Sequence, residues 1–139
     1  MNRAEPLLFR VVIQVANLSR AAGFYEALLG IAGRNVGGNR YYFDCGDVIL
    51  ALLDVSQGGR EPQPIPDDLY FAVENIEEIY ERASALDCLS EEQVHGQKAG
   101  DIVQRPWGER SFYAVDPQGN GLCFVDATTV FTGRERPDD

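Results

Sequence analysis

Histidine is almost absent from this chain: His95 is the only one in 139 residues, so at most one imidazole is on offer as a base or ligand. No apolar run reaches the roughly 18 residues of a membrane span, and Met1-Asn2-Arg3-Ala4-Glu5 opens no signal peptide. Positive charge is scarce as well. Lys and Arg number 12 against 22 Asp and Glu, giving a net charge of −10 with no basic cluster to interrupt it. Such a surface repels a phosphate backbone, which argues against nucleic acid as a partner and reads first as solubility. Cys45, Cys88 and Cys123 are odd in number and share no close spacing. That pattern suits reduced thiols in a cytoplasm better than a disulfide framework or a zinc knuckle, and the expected localisation is cytoplasmic.

What is present is enough apolar side chain, 45% of residues, to fold a globular core. The strongest internal signal is a repeat. Leu8 to Leu28 lies over Pro66 to Leu86 at a constant offset of 58, with Val15 on Val73, Asn17 on Asn75 and Leu28 on Leu86. A fixed offset across strand, turn and helix argues for two copies of one supersecondary unit, and paired units can enclose a ligand cleft.

Phe9 to Val15 is β-prone, and Ala21, Ala22, Tyr25, Leu28 and Leu29 then share a helical face that Gly30 can cap. Arg40 to Cys45 and Val48 to Asp54 read as strands joined at Gly46-Asp47. The second copy opens with a strand over Asp68 to Val73. Asn75 with Glu78 starts a helix whose buried stripe is Ile76, Ile79, Tyr80, Ala83 and Leu86. Glu91 to Gly100 is a polar stretch, followed by a weak strand at Asp101 to Gln104. Arg110 to Val115 and Gly121 to Asp126 are strands across the turn Asp116-Pro117-Gln118-Gly119-Asn120. The expected organisation is a single domain: module one over about 7–54, a proline-rich linker over about 55–66, module two over about 67–128, and a tail over 129–139 that frays from Gly133. Each module reads β-α-β-β, with room for one more strand in each long loop.

Three phrases in this order resemble the vicinal oxygen chelate superfamily, the glyoxalase, bleomycin-resistance and dioxygenase group. They are V-I-Q-V-A-N-L-S-R-A-A-G-F-Y-E-A-L-L-G from Val12, F-A-V-E-N-I from Phe71, and P-W-G-E-R-S-F-Y-A-V-D-P-Q-G-N from Pro106. The resemblance spans about Phe9 to Asp126 and implies an α+β fold, two tandem βαβββ modules forming a cupped, partly open barrel around a cavity. It also implies a groove for a small organic ligand, commonly completed by a homodimer. The fold hosts lyases, isomerases, dioxygenases and plain drug binders, so it does not by itself choose among them.

Metal-using relatives draw ligands from the first and last strand of each module. Carried over by motif, those positions fall on Arg10, Ala51, Asp68 and Cys123. Arg10 has no lone pair to offer and Ala51 has no donor atom, so the resemblance implies neither a metal nor another cofactor here. Arg10 and Asp68, opposite in sign at equivalent positions, are expected to pair or jointly orient a polar ligand. Alternation along the strands sends Arg10, Val12, Gln14, Asp68, Tyr70 and Ala72 to the cavity face, and Val11, Ile13, Val15, Leu69, Phe71 and Val73 to the helix. Trp107 and Arg110 read two ways: as a stacking and anion-holding pair at the cavity mouth, or as a core plug and the partner of an acid such as Asp116. Cys123 reads as core packing before nucleophile, and His95 as a solvated loop residue. The candidate ligand-binding set is thus Arg10, Asp68, Tyr70, Trp107, Arg110 and Cys123. The function expected is metal-free binding of an organic molecule; the alternative is a lyase, isomerase or dioxygenase with a non-standard active site.

Overall fold

The computed structural model describes residues 5–134. It divides between Ile65 and Pro66 into two compact units, each built around its own four-stranded sheet.

The first unit opens with β1 (Arg10–Val15), whose alternation buries Ile13 and Val15 and exposes Arg10 and Val12. Asn17 ends the strand and caps α1 (Leu18–Leu29), its side chain accepting from the Arg20 amide at 3.0 Å. Ala21, Ala22, Tyr25 and Leu28 form the buried stripe, and Gly30, at φ 71°, closes the helix by donating its N–H to the Glu26 carbonyl. Three strands follow: β2 (Arg34–Gly37), β3 (Arg40–Cys45) and β4 (Val48–Asp54). The sheet order is β1-β4-β3-β2, so the last strand inserts parallel beside the first, with Arg10 opposite Ile49 and Val12 opposite Ala51.

The second unit repeats this plan. It has β5 (Leu69–Val73), α2 (Ile76–Ala85), a small hairpin of β6 (Gln93–Val94) and β7 (Gln97–Lys98), then β8 (Val103–Gln104), β9 (Arg110–Val115) and β10 (Gly121–Asp126). Its sheet order, β5-β10-β9-β8, is that of the first unit strand for strand, again with first and last strands parallel. Asn75 caps α2 through the Glu78 amide, as Asn17 does in α1. The likeness reaches the ends of both modules. Asp54 Oδ1 accepts from the amide and hydroxyl of Ser56, and Asp126 Oδ1 accepts from the amide and hydroxyl of Thr128. The duplication therefore covers the whole βαβββ unit, and neither open sheet closes into a barrel.

Each helix packs on one face of its sheet. Tyr25 and Phe43 meet beneath α1, while Phe71, Phe112 and Phe124 stack beneath α2 with Tyr80 edge-on to Phe112. Phe43 and Phe112 are wholly buried, and Tyr41 bonds Glu26 of α1. These three aromatics thus belong to the helix side of their sheets, where Tyr41 lines a pocket with Glu26 and Asn35.

Two departures from the sequence reading concern the long connection of the second unit. Glu91 to Gly100, read there only as a polar stretch, carries the β6–β7 hairpin, turned at His95 (φ 51°) and Gly96 (φ 75°). The connection also runs along the outer edge of β9, where Ala99 and Tyr113 are joined by a 2.8 Å backbone bond and Ser90 donates to the Tyr113 carbonyl. Covering that edge removes an unpaired row of donors and acceptors. Of the expected tail, residues 130–134 lie outside regular elements and 135–139 lie outside the described residues.

Asp54 is 7% exposed, and its other oxygen accepts from Leu18, the first residue of α1. Asp54→Ala strands the Leu18 and Ser56 donors together and is expected to cost about 2–3 kcal/mol. Asn75→Ala, which removes one exposed cap bond, is expected to cost about 1 kcal/mol. Urea unfolding of the two variants checks both the sizes and the order.

Candidate functional site

The face of the second sheet that turns away from α2 gathers three buried polar side chains, Arg105, Glu109 and Ser111. Cross-strand register places Tyr70, Cys123 and Tyr113 in one row, and Ala72, Val125 and Ser111 in the next. The connection covers part of this face, where Ala99 packs on Tyr113, Cys123 and Val125 with Val94 beside them. The Cys123 thiol has the Ser111 and Tyr113 hydroxyls as hydrogen-bonding neighbours. Tyr113 in turn meets Tyr70, their rings edge-on with centroids 6.5 Å apart.

Arg105 pins the connection down. It is 2% exposed, and its Nε donates to Ser111 Oγ at 3.1 Å. Its Nη2 donates to the carbonyls of Ala99, Asp101 and Ser111, and the guanidinium sits 5.3 Å from the centre of the Tyr113 ring. Among the described residues no carboxylate forms an ion pair with it; carbonyl dipoles and a π face carry the charge.

Beyond Arg105 the chain turns through Trp107 and Gly108, which has φ 99°. The 2.7 Å bond from the Arg105 amide to the Glu109 carbonyl closes the turn. Glu109 is 7% exposed; its Oε1 accepts from Trp107 Nε1 and its Oε2 from the Phe131 amide, both at 2.8 Å. Tyr70, Trp107, Glu109, Val125 and Phe131 line a pocket of about 350 Å³ in this unit. The His95 ring lies edge-on to Trp107 at 5.2 Å, so the exposed hairpin tip shields one side of the indole.

The residues nominated by sequence are distributed as follows. Tyr70 and Trp107 line the same pocket, and Cys123 is Tyr70's cross-strand neighbour but is fully buried. Asp68 lies one residue before β5, half-buried against Gly121, where an added Cβ would overlap its carboxylate. Arg110 does not join them. It lies on the helix side, bonded to Glu77 Oε2 at 2.6 Å and Asp126 Oδ2 at 3.4 Å, so it pairs with acids, as one of its two readings has it. That arrangement lowers the Glu77 carboxyl, chiefly through the Arg110 bond. Arg10 is exposed, donates to the Tyr42 hydroxyl at 3.3 Å and lies over the Phe9 and Tyr42 rings. Glu109 and Arg105 were missed, although alternation through Ser111 and Tyr113 places Glu109 on the same face.

The positions that hold metal ligands in relatives make an unsuitable donor set. Arg10 has no lone pair and Ala51 has no donor atom, so neither can coordinate. Within either unit, no three of the described His, Cys, Asp and Glu side chains gather as a metal group.

Two outcomes follow from these environments. Cys88 and Cys123, both held near 11 by burial, are expected to resist iodoacetamide at pH 7 in the folded protein; Cys45, half-buried, should be alkylated first, as peptide mass mapping would show. Burial, with Asp67 and Glu92 nearby, raises Asp68 above its ordinary 3.8. The folded chain then holds that proton more tightly than the unfolded one, so this group's contribution to stability falls as pH rises from 3.8 through the folded value. Asp68→Asn should remove that fall, leaving the variant more stable than wild type at pH 7 but not at pH 3 in paired thermal melts.

Comparison with known proteins agrees with this architecture. The family described as Glyoxalase/Bleomycin resistance protein/Dioxygenase superfamily matches residues 7–124. Among solved structures, Oxidase ChaP-H1 superposes with a TM-score of 0.71 at 21% identity, covering 88% of this chain and 96% of that one. A lactoylglutathione lyase from Agrobacterium tumefaciens gives 0.63 at 21% identity, with 89% and 96% covered. A bleomycin resistance determinant encoded on the transposon Tn5 gives 0.64 at 16% identity, with 87% and 98% covered. At these identities the superpositions bear on fold alone. No curated protein sequence matches at a significant level. The match of the family to most of the chain, together with the duplicated βαβββ unit, establishes that this protein belongs to the glyoxalase/bleomycin resistance protein/dioxygenase superfamily.

Proposed function

We propose that this chain is a metal-free binding protein that sequesters or senses a small organic molecule. The observation that carries the reading is the donor set: Arg10 and Ala51, neither able to coordinate, stand at two of the four positions that hold metal ligands in metal-using relatives. The aromatic pocket of the second unit supports it. Tyr70 and Trp107 offer broad apolar surface, and one carboxylate offers polarity, the usual make-up of a small-molecule site. A bleomycin resistance determinant is among the proteins that share this fold.

Asp68 favours a second reading. A carboxyl raised by burial, two residues from Tyr70 and close to Gly121, has the character of an acid–base group in a lyase or isomerase without metal. Turnover of a bound compound that disappears in Asp68→Asn would establish it.

The protein is proposed to act as a homodimer, since its superfamily commonly completes its ligand grooves that way. Elemental analysis of the purified protein is expected to find less than about 0.1 equivalents of zinc, iron or manganese, and light scattering at high micromolar concentration to report a dimer. One equivalent of any of these metals, retained through gel filtration, overturns the metal-free reading.

A further inference from the structure

The pocket on the second sheet holds a carboxylate whose charge nothing beside it neutralises. Glu109 is 7% exposed, and its two hydrogen bonds come from neutral donors, the Trp107 indole and the Phe131 amide. Those bonds fix its orientation and leave a lone pair free on each oxygen. The two arginines near it in sequence are committed elsewhere. Arg105 spends its guanidinium on Ser111 and on the carbonyls of Ala99 and Asp101, and Arg110 faces Glu77 and Asp126 on the helix side. Among the described residues Glu109 enters no ion pair. A carboxylate buried without a counter-charge is costly, and a cation arriving from solution offsets that cost.

The walls define which cation. Tyr70 and Phe131, 58% and 57% exposed, flank the opening, with Trp107 and Val125 further in. Aromatic rings attract cations through their quadrupole, most strongly weakly hydrated ones, and repel anions. Beside Glu109 the described lining is mostly apolar, so a head group needing many hydrogen-bond partners is poorly served. The volume of about 350 Å³ suits a compact molecule.

Resting on the small-molecule reading above, we propose that this pocket recognises an organic cation, a substituted ammonium carrying an alkyl or aryl group. Its positive head sits against Glu109 and its apolar part against Tyr70, Trp107 and Phe131.

Trp107 is the only tryptophan, so intrinsic fluorescence of the full chain reports on this pocket. The probes are benzyltrimethylammonium, neutral benzyl alcohol and anionic benzoate. The expected result is saturable binding of the cation at least about tenfold tighter than benzyl alcohol, and none of benzoate. Glu109→Gln should weaken the cation by about tenfold or more while leaving benzyl alcohol within about threefold. Because that change also perturbs the Phe131 contact, circular dichroism melts accompany it. Tyr70→Leu, at an exposed position, gives an independent readout and should weaken the cation by about threefold or more relative to benzyl alcohol. Equal or tighter binding of either uncharged or anionic probe overturns the proposal, as does a cation that fails to saturate or an affinity unchanged in a folded variant. If benzyl alcohol binds and the cation does not, the ligand class is wrong while the small-molecule reading stands; that reading falls on the metal analysis instead.

Discussion

A guanidinium almost sealed from solvent holds the second module's long connection on its sheet, and the pocket depends on it. Arg105 draws the carbonyls of Ala99, Asp101 and Ser111 toward a single centre, tying the connection to strand β9. An ion pair would satisfy the same charge with one partner; carbonyls require several, and each fixes another segment. The turn through Trp107 and Glu109 follows directly from this anchor, since the Arg105 amide closes it. Polar groups thus stabilise the position of an otherwise apolar pocket wall.

The two modules share topology, helix N-caps and terminal aspartates, yet differ in their connections, most of all in the one that follows the helix. Between α1 and β2 the chain needs only Gly30 to Gly33, and Gly33 is pressed so close to Tyr41 and Phe43 that a side chain there would collide with them. Between α2 and β8 it runs from Leu86 to Ile102 and builds a hairpin. The short version leaves its sheet face to Arg10, Tyr42 and Ala51; the long version supplies Val94, Ala99 and the His95 tip over the other. Symmetry of scaffold and asymmetry of loop together explain why the pocket with a buried carboxylate lies in the second module.

Much of this was legible in sequence. The offset of 58 located both strand–helix units because Asn17 and Asn75 do the same capping work, and period-2 alternation assigned the faces of β1 and β5 correctly. The site was only half legible. Tyr70 and Trp107 stood out by type, but Arg110 beside Trp107 turned to the helix face because β9 begins there and alternates from it. Glu109 escaped notice because a glutamate at the mouth of a strand usually faces water; its burial is imposed by Phe131, more than twenty residues on. Arg105 escaped for the same reason, since nothing local says that a coil arginine will find the carbonyls of Ala99, Asp101 and Ser111. Long-range closure of loops on a sheet leaves no periodic trace.

The parallel pairing of first and last strands also has a kinetic meaning. Local hairpins such as β3–β4 and β9–β10 can zip early, but β1 and β5 must wait for the final strand of their module before gaining a neighbour. Duplication halves that wait. The first module has all its strands once Asp54 is made and can bury Ile13, Tyr25 and Leu52 while the second is still being synthesised. A nascent chain of this design can bury one apolar sheet face before the second is complete, which shortens the window in which unpaired strands can aggregate.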